Sequence, residues 1–169
     1  MGAVTLSYRA SSTITVAPEN VASSATFVAG VESSVIDNTT NKDEDILIGG
    51  VWTAGTTPTA NTQVQIYVVA ARDDAPTYGD VFDGTSSAET VTSAGVLAGI
   101  AKLAAVLNVD TTTSNRAYEC ALFSVAQLFG GVVPPKFVLY IAHNTGVNSN
   151  TTAGNHVWKA TGVSRSVAA

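Results

Sequence analysis

Most of the residue types that usually carry chemistry are scarce in this sequence. It has one cysteine, two histidines and eight Lys plus Arg in 169 residues. Charged residues make up 12% of the chain, about half the roughly 25% common in soluble domains. The lone Cys120 cannot close an intrachain disulfide, which excludes a disulfide-built scaffold. A net charge of −5 with so few cations leaves no basic field to neutralise phosphates, so nucleic acid is not expected as a partner. The longest apolar run, Val96 to Leu107, is broken by Gly99 and Lys102 and falls short of the roughly 20 residues of a membrane span. The opening residues MGAVTL carry no basic stretch followed by a long apolar one. No secretory signal is therefore expected, and the chain is expected to be made and folded in a cytoplasm.

What is present points to a packed β protein. Hydrophobic residues reach 46% and the mean hydropathy is +0.25, which excludes disorder. The length suits one domain over 1–169, with an extended N-terminal arm over 1–18. Thr, Val, Ile and aromatics recur between closely spaced turn residues. In Asp45–Thr53, Ile46, Ile48 and Trp52 alternate with Leu47 and Val51, so both faces are apolar, as in a sandwiched strand. At 62–71, Val64, Ile66, Val68 and Ala70 alternate with Gln63, Gln65 and Tyr67. Lys136–His143 sets Phe137, Leu139 and Ile141 against Val138 and Tyr140. Further strands are expected at 13–16, 25–29, 34–38, 101–110, 117–123 and 156–163. Ser124 and Gln127 have capping-box spacing, and Gly130, Gly131, Pro134 and Pro135 end any helix begun there, predicting a short helix from Ser124 to Phe129. A helical turn or loop is expected near 96–100, where Gly99 weakens a helix. The sum is an all-β antiparallel sandwich of eight or nine strands with one short helix.

Candidate chemistry is thin. His143 and His156 lie at expected strand ends, with no nucleophile elbow and no metal-ligand spacing beside them, and read as satisfied strand-end histidines. Cys120 falls on an apolar strand face and reads as a buried, inert thiol. Asp73, Asp74, Asp80 and Asp83 gather in the long irregular stretch 72–94 and offer the oxygen ligands that calcium takes. They depart from the EF-hand pattern, and the simpler reading is that they start turns. Trp52, Tyr67, Tyr78, Phe82 and Trp158 divide among three roles: core, protein interface, or a stacking platform for a sugar. No enzymatic activity and no cofactor are expected.

The surface is the informative part. With only four lysines, at 42, 102, 136 and 159, the exterior must be clad mainly in Ser, Thr, Asn, Gln, Gly and Ala. Isolated sheet proteins usually keep more charge outside, including edge lysines that block strand pairing. Dehydrating hydroxyls at a contact costs less than dehydrating ions. A structural subunit covered by protein neighbours is the expectation that fits.

Two runs carry a family likeness. They are Ile46 to Asp83 (ILIGGVWTAGTTPTANTQVQIYVVAARDDAPTYGDVFD) and Ser124 to Gly146 (SVAQLFGGVVPPKFVLYIAHNTG). The chain resembles small virion structural proteins of tailed bacteriophages, above all capsid decoration (cement) proteins. The resemblance implies a jelly-roll-like sandwich with no enzymatic activity. It implies binding to the outer surface of the major capsid protein, as a homo-oligomer, a trimer first among the options, at the capsid exterior of the virion. It also implies that 1–18 reaches a sister subunit or the lattice. The stretches 72–94 and 147–155 are then the expected contact loops, with Tyr78, Phe82, Asn148 and Asn150 as contact residues. A carbohydrate- or receptor-binding sandwich module, or a tail or fibre-base component, is the alternative.

Overall fold

A computed structural model of the chain describes residues 3–73 and 75–167. The strands are β1 (Val4–Tyr8), β2 (Ser12–Thr13), β3 (Ala29–Glu32), β4 (Ile36–Asp37), β5 (Asp45–Thr53), β6 (Thr62–Ala70), β7 (Ser87–Thr90), β8 (Ala101–Val109), β9 (Ala117–Ser124), β10 (Lys136–His143) and β11 (Val157–Val167). Two short helices join them, α1 (Ala94–Ile100) and α2 (Val125–Leu128). All pairings are antiparallel. The fold is therefore an all-β sandwich.

The strand order makes the topology specific. One sheet runs β1-β11-β5-β9 and the other β7-β3-β10-β6-β8, with β2 and β4 as short side pieces. Setting β2, β4 and β7 aside, the first principal strand pairs with the last, β3 with β10, β5 with β9 and β6 with β8. A long hairpin rolled across two sheets produces that nesting, which is the jelly-roll arrangement.

Alternation builds the core. Ile46, Ile48 and Trp52 on β5 and Trp158 and Ala160 on β11 meet Val64, Ile66 and Val68 on β6 and Phe137, Leu139 and Ile141 on β10. Gly50 lets β11 approach closely, since a Cβ there would stand 2.5 Å from the Val157 carbonyl oxygen and 2.6 Å from the Trp158 ring. β10 is buried on both faces because the connection from β6 to β8 folds back over its outer side. There Val138, Tyr140 and Ala142 pack under Tyr78, Phe82, Val91 and Leu97 in a second apolar cluster.

That third layer corrects the reading of 72–94 as wholly irregular, since Tyr78, Phe82 and Val91 pack on β10 while most of the stretch stays exposed. It adds β7 and makes a real helix of α1, so the described residues hold two helices rather than one. Ser93 caps α1 by accepting the Val96 N–H, and packing does not require a glycine at Gly99, since nothing lies within 4 Å of where its Cβ would be. The expected helix at 124 is also found, its Ser124 hydroxyl accepting the Gln127 N–H at 3.0 Å. The strand total exceeds eight or nine through the short pieces β2, β4 and β7. β11 runs on to Val167, past the expected end at 163, because β1 pairs with it from Val4↔Val167 to Tyr8↔Val163. Within the described part of 1–18, the expected arm thus carries two strands, both paired to β11.

Candidate functional site

The two histidines come together around Trp52. The His143 ring centroid lies 5.0 Å from the Trp52 ring and that of His156 lies 6.1 Å away. His143 donates from Nε2 to the Val21 carbonyl at 3.0 Å, and its Nδ1 meets the Thr145 hydroxyl at 3.0 Å. His156 accepts the Thr53 N–H at Nδ1 (3.2 Å) and donates from Nε2 to the Asn150 carbonyl at 3.1 Å. A backbone N–H can only donate and a carbonyl can only accept, so the partners of His156 fix a neutral imidazole. Burial pushes the His143 pKa down to about 4, opposed by the Val21 hydrogen bond and helped by neighbouring His156. Burial lowers His156 as well. Each ring ties a loop to the core and has no nitrogen left for a substrate or a metal.

The candidate calcium ligands do not converge. Asp73 accepts the N–H groups of Ala75 and Thr77. Asp80 takes the N–H and hydroxyl of Thr92, and Asp83 accepts the Thr85 N–H. Asp73 and Asp83 each close their own turn, Asp80 ties its loop to the residue that follows β7 by two positions, and Asp74 lies outside the described residues. Among the described residues no group of three or more His, Cys, Asp or Glu is placed to hold a metal ion. Cys120 is buried in the sandwich core, and burial pushes its thiol up to about 11.

The proposed contact residues separate. Tyr78 and Phe82 are interior side chains of the third layer, which corrects their placement on an exposed surface: the outer face of β10 is apolar and needs them as cover. Trp52 and Trp158 are also interior, so the aromatics assemble no sugar-stacking platform. Asn148 is exposed and Asn150 buried.

Asn150 organises one end of the sandwich. Its Nδ2 donates to Asn115 Oδ1 at 2.8 Å, and its Oδ1 accepts from the Thr152 N–H (2.8 Å) and Asn155 Nδ2 (3.0 Å). Its backbone N–H bonds the Thr53 carbonyl, and its carbonyl accepts the Asn20 N–H. Asn148 reaches Asn20 Oδ1 at 3.0 Å, and Thr59 N–H bonds the Thr145 carbonyl at 2.8 Å. Four loops thereby form one platform, two of whose segments, 54–61 and 144–155, contain no charged residue. Removing the amide group with Asn150→Ala should cost about 1.5 kcal/mol in urea unfolding and should speed amide exchange across 148–155.

Glu32, which sequence reasoning passed over, is the most unusual titrating group. It is 0% exposed, and no basic side chain pairs with it among the described residues. Its oxygens accept the N–H groups of Gly84 (2.7 Å) and Asp83 (3.2 Å). Burial raises its pKa to about 7, against those two hydrogen bonds and with help from Asp83 and Glu89. It pins the loop between Tyr78 and β7 to β3. Nothing in its sequence surroundings marks a lone carboxylate as buried.

Two bare apolar surfaces remain. Among the described residues, the outer face of the β11-β5-β9 sheet has no third layer. There Val157 opposes Val51, Lys159 opposes Gly49 and Thr161 opposes Leu47, and directly opposed residues share a face. Leu122, 68% exposed, borders a shallow groove of about 410 Å³ floored by Gly49 and Gly50, with Lys159 and Glu119 as its charged lining. The second surface is the ribbon of β1 with the end of β11. Val4, Leu6 and Tyr8 are all exposed and lie opposite Val167, Arg165 and Val163 on one face, while Thr5 and Ser7 lie opposite Ser166 and Ser164 on the other. The alternation V-T-L-S-Y was readable in the sequence, but only pairing reveals that one face stays uncovered.

By contrast, the cleft of about 230 Å³ between β2 and β4 holds charged groups already engaged with partners. Arg9 pairs with buried Asp43, and Asp37 accepts from Thr39 and faces Lys136 at 3.7 Å. No family model, no curated protein and no solved structure matches this chain.

Proposed function

We propose that the chain is a non-enzymatic structural subunit of a virion, a capsid decoration protein that binds the outer surface of the major capsid protein as a small homo-oligomer. The observation that carries this reading is the one-sided layering of the sandwich. One sheet is roofed by the chain itself, whereas the opposite sheet presents Leu47 on the same face as Val51, Val157 and Leu122, which line a groove floored by glycine. A face of this composition is suited to being covered by protein.

Its size decides how it would work. Three strands spaced ~4.8 Å apart, each contributing about seven residues at ~3.3 Å, give a footprint of roughly 330 Å². A stable pairwise complex needs roughly 800 Å² per partner. One contact of this size is weak, and occupancy would come from many copies held on a repeating shell. The uncharged loop platform around Asn150 is compatible with close neighbours, because little charge has to be dehydrated there.

The test is cosedimentation with shells assembled from the major capsid protein encoded alongside this chain. The wild-type chain should pellet with the shells at near-stoichiometric occupancy. A variant carrying Leu122→Lys and Val51→Lys should lose at least tenfold of the bound fraction while melting like the wild type. Wild-type protein left in the supernatant at micromolar concentration would reject the proposal.

A further inference from the structure

The β1 edge is unguarded. Val4–Tyr8 contains no charge, no proline and no glycine, and among the described residues nothing pairs with its outer side. Sheet proteins that stay apart usually blunt such an edge with lysine, proline or a bulge. The ladder also dictates which backbone groups face outward. Arg9 donates its N–H to the Gly162 carbonyl, and hydrogen-bonded pairs alternate along an antiparallel ladder. Thr5 and Ser7 therefore bond inward to β11, while Val4, Leu6 and Tyr8 turn their N–H and C=O groups out to the free side.

The strand is also self-complementary. An antiparallel copy centred on Leu6 sets Val4 against Tyr8, Leu6 against Leu6 and Tyr8 against Val4, all on the apolar face. Thr5 then meets Ser7 on the hydroxyl face. Three outward-bonding pairs would exchange about six backbone hydrogen bonds and merge two ribbons into one four-stranded sheet. A lone two-stranded ribbon in water is marginal, and a third and fourth strand with an apolar face remove that weakness.

We infer that β1 joins two copies of this chain edge to edge across a two-fold axis, with Leu6 at the axis. The inference rests on the reading of the chain as an assembly subunit and names how its copies meet: an isologous pair, in place of the trimer expected from the family resemblance.

Sedimentation equilibrium over a concentration series tests it. The wild-type mass should climb toward twice 17.2 kDa. Leu6→Pro removes an outward N–H and leaves the inward bonds of Thr5 and Ser7 in place, as an edge strand permits. Leu6→Lys sets two like charges against each other at the axis. Both variants should hold at 17.2 kDa over the same range, with melting temperatures close to a monomeric reference, because Leu6 is 54% exposed. A wild-type chain that stays monomeric throughout, or a Leu6→Lys protein that keeps the wild-type mass, overturns the inference. The outcome is separable from shell binding. A monomer that still coats shells defeats the pairing alone, and a pair that ignores shells defeats the decoration reading alone.

Discussion

Glu32→Gln should make the acid-stability profile markedly steeper. The fold holds His143 neutral, with a pKa of about 4 against the ordinary 6.5. Its contribution is whole above pH 6.5 and is lost as pH falls toward about 4, an effect of about 3 kcal/mol. His156 acts in the same direction. Glu32 acts in the opposite one. Its pKa is raised from 4.5 to about 7, so the fold favours the protonated acid, and that contribution is whole below pH 4.5 and is lost as pH rises through about 7. Between about 4.5 and 6.5 the two slopes offset each other. Urea unfolding across a pH series should show the Glu32→Gln protein losing about 3 kcal/mol from pH 6.5 to 4, and the wild type less than half of that. Comparing slopes removes any constant offset from the substitution itself. Parallel curves for the two proteins would mean that this carboxyl does not balance the histidines.

The second large effect belongs to Trp52. Its side chain is fully buried in the sandwich core, with His143, His156 and Tyr118 ringed around it. Trp52→Ala leaves a cavity in contact with both imidazoles and should destabilise the chain by about 3–5 kcal/mol. For a chain of this length that corresponds to a fall in melting temperature of roughly 8–15 °C. Because His143 ties down Val21 and His156 ties down Asn150, amide exchange should accelerate in both of those loops. A variant that loses stability with no change around Val21 and Asn150 would separate the indole from the loop anchors.

How far the sequence speaks depends on how local the signal is. β5 and β10 were legible to the residue, because two apolar faces and flanking turns define a sandwiched strand without outside help. The short helix after Ser124 followed from its cap. The layer formed by 71–100 was not legible. Tyr78, Phe82, Val91 and Leu97 are irregularly spaced among turn residues, and periodicity does not report on a segment whose partner is a distant sheet face. A trace existed all the same: Val138 and Tyr140 on the outward side of β10 required cover from somewhere. Of the candidate site, the resting state of His143, His156 and Cys120 could be read from poor local chemistry. The buried state of Glu32 and the apolar ribbon could not, since each arises from a pairing between distant positions.

The nested pairing has a consequence for how the molecule forms. β11 lies between β1 and β5 in its sheet, so that sheet has an open slot until the residues around Trp158 have left the ribosome. Until then one edge of β5 has no partner strand, and strands far apart in order must find one another late. Such non-local pairing slows folding and lengthens exposure to wrong partners. Synthesis halted before Trp158 should therefore yield chains that chaperones retain rather than smaller stable bodies.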